Sequence, residues 1–271
     1  MDYMQQTNLS RGLSDLIRRI NLGADGTQIG EDLFGVADLL RKDHALASAL
    51  TDPGRDASDR QGLARKIFEP VLCTGAMQSF YDLVGDNWSR ERDLSATTAR
   101  LGLDAYMLAA VHRDKVSTVA EELVLASMLI SENRDLRIQL SDLGEGSAEE
   151  RSALAKKVFH GHVSPITERL IMRAAFTSDY GRLLETLRAY ADRSAQLDGN
   201  HLVIVTSAEP LSDEQRARML DLARRRWNEP VELVAVTDPN MLGGFKLDGG
   251  DRAVDTSIRT DIAAARAALT R

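Results

Sequence analysis

Near the carboxyl end of the chain stands Thr237-Asp238-Pro239-Asn240-Met241-Leu242-Gly243-Gly244-Phe245-Lys246-Leu247. It is followed by Asp251 and then by Ala253-Val254-Asp255-Thr256-Ser257-Ile258-Arg259. Asp-Pro-Asn opens a turn, because proline fixes φ while the Asp and Asn side chains bond nearby backbone. The glycine pair permits positive φ, or the close approach of another backbone. Phe245-Lys246-Leu247 alternates like a half-buried strand, Gly249-Gly250-Asp251 turns it, and Ala253-Val254 returns antiparallel. Asp255 stands where a helix N-cap belongs. Behind it Ile258, Ile262, Ala265 and Leu269 recur at helical spacing, so the unit reads as strand, tight hairpin and terminal helix.

Just upstream the period also alternates between strand and helix. His201 to Val205 reads as a buried strand, Asp213 to Trp227 as an amphipathic helix, and Val231 to Val236 as a second strand. A helix of this length between two strands implies a parallel β-α-β crossover. Asp198-Gly199-Asn200 has turn chemistry and marks a domain boundary.

Everything before residue 198 reads as helix. Apolar stripes run through Leu9–Ile20, Ile29–Leu40 and His44–Leu50, and Ser58 is the expected cap of a fourth helix carrying Leu63, Ile67 and Phe68. Shifting the chain by 90 places superposes Leu13 on Leu103, Ile29 on Val119, Leu33 on Leu123 and Asp52 on Asp142. After a one-residue slip, Leu63-Ala64-Arg65-Lys66-Ile67-Phe68 falls on Leu154-Ala155-Lys156-Lys157-Val158-Phe159, and Trp88-Ser89-Arg90 recurs as Tyr180-Gly181-Arg182. Leucine pairs arise by chance in helical proteins, but matched gaps and a six-residue block indicate a duplication. The expected fold class is therefore mainly α: two consecutive helical bundles, then a small α/β domain with a short sheet and hairpin. The expected boundaries are 1–95, 96–197 and 198–271, with Gly102 as a bend if the last helix of the first copy runs on into the second.

Composition narrows the function. A net charge of −7 argues against general nucleic-acid binding, which needs basic surface to displace counterions. Arg224-Arg225-Arg226 reads instead as a complement to a helix dipole. Cys73 is the single cysteine, so no internal disulfide can form and a reducing compartment is expected. The start carries no signal pattern, and the longest apolar runs fall short of the ~18 residues that span a bilayer. No catalytic constellation emerges. His160-Gly161-His162 reads as a loop rather than a metal pair, Gly243-Gly244 lacks the lysine of a phosphate cradle, and Glu121-Glu122 and Glu149-Glu150 read as helix-start carboxylates. Ser207 and Ser257 lack His and Asp partners at a recognisable spacing. No cofactor or metal is expected.

The ordered set Asp238, Pro239, Leu242, Gly243, Gly244, Asp255, Ser257, Ile258 and Arg259 resembles the ending of the delta subunit of bacterial F-type ATP synthases. This is the family of the mitochondrial oligomycin-sensitivity-conferring subunit. Val203 to Ala208, followed by Pro210-Leu211-Ser212, is similar to the family's preceding strand and helix start. Residues from Ala99-Arg100 onward match the family's usual length, with its six-helix amino-terminal bundle as the second copy, so the first copy is an addition. The chain departs from the family at Leu101-Gly102-Leu103, where most members carry Tyr-Ala; Tyr106 lies one turn further on.

The resemblance implies a non-catalytic peripheral-stalk subunit on the cytoplasmic face of the membrane, linking the catalytic head to the membrane sector and resisting rotor torque. It implies two partners: the amino-terminal helix of an alpha subunit and the ends of the b-type stalk subunits. Nucleic acid is not a partner, and the membrane is reached only through the complex. By the same resemblance the alpha helix would lie between Leu103, Tyr106, Met107 and Ala110 on one helix and Ile166, Leu170 and Arg173 on another. The stalk contact would involve Asp238, Pro239, Leu242, Gly243, Gly244, Phe245, Asp255, Ser257 and Arg259. The added first copy either seizes a second alpha helix or lengthens the connection to the stalk. Two other classes stay open: a stand-alone helical-repeat scaffold binding an amphipathic peptide, and an enzyme with an α/β tail.

Overall fold

The computed structural model describes residues 3–113, 115–250 and 252–255. The expected terminal helix, with Ser257 and Arg259, lies outside them. The chain divides into two compact units, Met1–Arg113 and Asp114–Arg271.

Unit 1 holds α1 (Tyr3–Asn21), α2 (Gly26–Lys42), α3 (His44–Thr51), α4 (Ala57–Phe68), α5 (Thr74–Gly85) and α6 (Glu91–Val111). The starts follow local chemistry: Asp25 accepts from Thr27 N at 2.9 Å and Asp43 from Leu46 N at 3.0 Å. The expected cap Ser58 lies one residue inside α4, whose N-cap is Asp56. The 95/96 position falls within α6, which runs unbroken and packs on α2, α1, α3 and α5. Gly102 therefore serves a crossing and not the expected bend. A Cβ there would meet the Phe34 ring at 2.9 Å and Gly30 O at 3.1 Å, and one on Gly30 would meet the Tyr106 ring at 2.4 Å. The two glycines let α2 and α6 approach closely, with Phe34 stacked on Tyr106 at 5.7 Å beside them.

Unit 2 holds α7 (Val116–Glu132), α8 (Arg134–Leu140), α9 (Ala148–Phe159), α10 (Pro165–Phe176) and α11 (Leu183–Leu197), then β1 (His201–Ser207), α12 (Asp213–Trp227), β2 (Val231–Thr237), β3 (Phe245–Asp248) and β4 (Ala253–Asp255). Capping boxes open α9 (Ser147 with Glu150) and α12 (Ser212 with Gln215). Strand order is β2-β1-β3-β4, with β1 and β2 parallel and the other pairs antiparallel. Because side chains alternate along a strand, the sheet has two distinct faces. Val203, Val205, Leu233 and Leu247 pack with Ala223 and Trp227 of α12. The opposite face meets the helices, α11 against β1 and α7 against β2.

The duplication is visible in the element bounds. Moved by 90, α2 falls on α7; moved by 91, α4 falls on α9 and α5 on α10. One arginine repeats with them, buried as Arg60 and half-buried as Arg151. Arg60 Nε donates to Val84 O at 3.3 Å, Nη1 to Arg55 O at 2.8 Å and Nη2 to Gly85 O at 3.4 Å. In unit 2 Arg151 Nε donates to Ala175 O at 3.0 Å, Nη1 to Gly146 O at 2.9 Å and Nη2 to Phe176 O at 3.3 Å. Each guanidinium ties the start of one helix to the carbonyl end of the next, where the helix dipole is negative.

Candidate functional site

The turn that carries the sequence motif is built as its residues demand. Asp238 accepts from Asn240 N at 2.9 Å and from Asn240 Nδ2 at 3.1 Å, while Met241 N reaches Asp238 O at 3.0 Å. Gly243 and Gly244 take φ values of 134° and 81°, in the region where a Cβ is strained. Backbone geometry thus accounts for both glycines. The turn leaves Leu242 65% exposed, and Phe245 enters β3 opposite Ser207. Asp255, on β4, pairs with Lys246.

This turn forms one wall of a cleft of about 860 Å³ within unit 2. Val124, Ser127 and Met128 of α7 supply a second wall, Leu184, Arg188 and Ala189 of α11 a third, and Ile204 and Thr206 of β1 the floor. Arg188 holds the corner: its Nε donates to Asp192 at 3.2 Å and its Nη2 to Asp248 O at 3.5 Å. Deeper in the same interface, burial pushes the Glu232 carboxyl above its usual range, against a hydrogen bond from Ser117 that favours ionisation.

The residues expected to receive an alpha-subunit helix are placed as follows. Leu103, Tyr106, Met107 and Ala110 belong to unit 1 and are all buried; the Tyr106 hydroxyl donates to Glu31. Ile166, Leu170 and Arg173 belong to α10 of unit 2 and are likewise buried, with the Arg173 guanidinium 5.5 Å from the Phe176 ring centroid. In unit 1 the first and fifth helices of the repeat, α1 and α5, flank a furrow lined by charge. Arg19 meets Asp82 at 2.7 Å, Arg11 meets Asp86, and Arg18 and Asp15 stand beside them.

One expectation is corrected. Glu121 and Glu122 lie inside α7 and not at its start. Glu122 caps a different helix, accepting from Ser164 N at 2.9 Å and Ser164 Oγ at 2.7 Å at the head of α10. Its counterpart Asp32 accepts from Cys73 N at 2.6 Å at the head of α5. Sequence reasoning missed these caps, the paired arginines Arg60 and Arg151, and the cleft walls on α7 and α11. The 90- and 91-residue offsets that link Asp32 to Glu122 and Arg60 to Arg151 were the available signal. His160 and His162 lie in the α9–α10 connection, where His160 Nδ1 is 2.8 Å from Glu168. Among the described residues no group of three or more His, Cys, Asp or Glu side chains is arranged to hold a metal, and no helix is long and apolar enough to cross a membrane.

A family model described as ATP synthase delta (OSCP) subunit matches residues 104–269. The chain is 31% identical to the ATP synthase subunit delta of Corynebacterium kroppenstedtii over 251 residues, 93% of this chain and 92% of that one. It is 30% identical to the subunit of that name from Frankia alni over 91% of this chain and 89% of the relative. With that of Corynebacterium jeikeium the identity is 28% over 99% and 97% of the two chains. This chain belongs to the ATP synthase delta (OSCP) subunit family. The family model begins near the end of α6, yet these relatives align over most of unit 1 as well, so they share the added front.

Proposed function

We propose that the chain is a non-catalytic subunit of the peripheral stalk of a proton-translocating F-type ATP synthase. It would hold the catalytic head against rotor torque. The observation that carries this reading is the near-complete alignment with delta subunits, together with the ordered Asp238-to-Asp255 turn unit that the family resemblance assigns to the stalk contact. Apolar anchors at i, i+3, i+4 and i+7 spacing give grip without chemistry, which suits a static tether. The partners in this reading are the amino-terminal helix of an alpha subunit and the ends of the b-type subunits. The chain would then sit on the cytoplasmic face of the membrane, held there by its partners.

We further propose that the repeats 1–95 and 96–197 play different parts, with 198–271 as the stalk-facing segment. The furrow between α1 and α5 is lined by Arg11, Asp15, Arg18, Arg19, Asp82 and Asp86, a poor receptor for an apolar helix face. This favours an architectural first repeat that lengthens the connection to the stalk. Titration of the full chain with a peptide of the alpha subunit's first residues, about twenty and so roughly five helical turns, tests both points by calorimetry. One site supports the stalk role and an architectural first repeat, and two sites would assign the first repeat a second alpha helix. No binding to the peptide or to the assembled head removes the stalk assignment and favours a helical-repeat scaffold.

A further inference from the structure

We infer that the cleft of unit 2 is the seat of the chain's own residues 256–271, which close it as a basic amphipathic helix and clasp the bundle helices α7 and α11 to the sheet. The seat lies within one chain, so it stands apart from the stalk reading and needs no partner.

The point where the segment begins limits its reach. It continues directly from Asp255, the last residue of β4, and Asp255 is itself part of the cleft's lining. Ile258, Ile262, Ala265 and Leu269 recur at the spacing of one helix face. The first three span two turns. Two turns of a helix about 10 Å across and ~5.4 Å in pitch displace on the order of 850 Å³. The cleft holds about 860 Å³. Val124 and Met128 of α7, Leu184 of α11 and Ile204 of β1 give such a stripe an apolar bed.

Two furrows adjoin the end of β4, and charge decides between them. The cleft takes Asp255 into its lining. A smaller furrow of about 560 Å³ takes Val254, together with Arg218, Asp221, Leu222, Arg225 and Arg226 of α12. Residues 256–271 carry Arg259, Arg266 and Arg271 against Asp261, a surplus of positive charge. Three arginines against one aspartate give the α12 furrow a surplus of the same sign, which repels the segment. The cleft has the opposite surplus. With Arg188 and Asp192 paired at 3.2 Å, the carboxylates of Glu185, Asp238 and Asp255 outnumber the one remaining cation of the lining, Lys246. On a helix Arg259 and Arg266 stand two turns apart on one flank of the apolar stripe, so a single acidic rim serves both.

The test uses the purified full chain. A photoreactive benzoylphenylalanine replaces Met128 on α7 in one variant, Met241 in the turn in a second and Leu222 on α12 in a third. After irradiation, mass spectrometry maps the links. The expected result is a link within one chain from position 128 or 241 to residues 256–271, and none to them from position 222. A link from 222 to that segment, a link that joins two chains, or no link to it from 128 and 241 overturns the seat. The double change Arg259→Glu and Arg266→Glu should cut the link about fivefold, since it turns attraction at the rim into repulsion. Raising salt from about 0.01 M to 1 M shortens the screening length from ~30 Å to ~3 Å and should weaken the link about threefold. A link unchanged by either treatment overturns the electrostatic choice between the two furrows.

Discussion

Arg151 repeats three of the bonds of Arg60: each side chain sends Nε, Nη1 and Nη2 to backbone carbonyls whose positions differ between the two units by the same 91 residues, while Arg60 also donates to Asp52 O at 3.2 Å and Asp86 O at 3.1 Å. A planar guanidinium can serve three carbonyls in one fork, and a lysine ammonium cannot reproduce that geometry. Arg60→Lys and Arg151→Lys should each cost about 2–3 kcal/mol, because buried carbonyls lose their donors. Urea unfolding followed by hydrogen exchange should show the loss confined to the helices of the unit that carries the change. Equal loss in both units would mean that the two networks are coupled.

At the α2–α6 crossing, Gly30→Ala would drive a methyl into the Tyr106 ring and the Gly102 carbonyl. A cost of about 2 kcal/mol or more is expected, as for other overpacked cores. Gly35→Ala on the same helix meets nothing within 4 Å and should be neutral or stabilising by up to ~1 kcal/mol through helix propensity. Thermal melts of the pair separate the crossing from propensity.

Glu232 gives stability a pH dependence of definite sign. Burial raises its folded-state value above 4.5, so folding favours the protonated form. That contribution is complete below 4.5, the unfolded value, and is lost as pH rises through the folded value. Glu232→Gln should therefore be more stable than the parent at neutral pH and lose the advantage in acid. Denaturant midpoints measured across pH check this, and a parent that gains on Glu232→Gln as pH rises contradicts it.

Cys73 stands at the N-cap of α5, a position that usually activates a thiol. Here burial raises the thiol above its ordinary value, and the Asp32 carboxylate beside it raises it further. Iodoacetamide should label Cys73 more slowly than free cysteine at neutral pH. Asp32→Asn should quicken the labelling, which mass spectrometry follows directly.

Tyr180 occupies φ 51°, a strained conformation for an aromatic residue, and is 80% exposed. Asp142 enforces it by accepting from Ser178 Oγ at 2.9 Å and Gly181 N at 3.0 Å. Tyr180→Asn, which tolerates that conformation, should stabilise unit 2 by up to about 1 kcal/mol. A loss of stability in urea unfolding would show that the Tyr180 ring packs more productively than its exposure implies.

Much of the architecture was legible in the residues themselves. Apolar spacing and turn dipeptides are local signals, and they placed the first four helices, α12, the crossover and the hairpin. The 90-residue offset told of the duplication before any helix was seen. Local periodicity does not reveal which elements meet. Helical spacing alone would place Val124 and Met128 of α7 in a bundle core, yet they line a cleft together with α11, β1 and the turn after β2. Glu122 looks like a carboxylate near its own helix start, yet it caps α10, a contact 42 residues away in sequence. Gly102 looks like a hinge, yet it is the point where α2 crosses α6. Sequence alone determined the elements and their kinship, because backbone preference and burial period are properties of neighbouring residues. The cleft, the cross-helix caps and the glycine crossing were decided only in the tertiary structure, because they depend on distances between segments far apart in the chain.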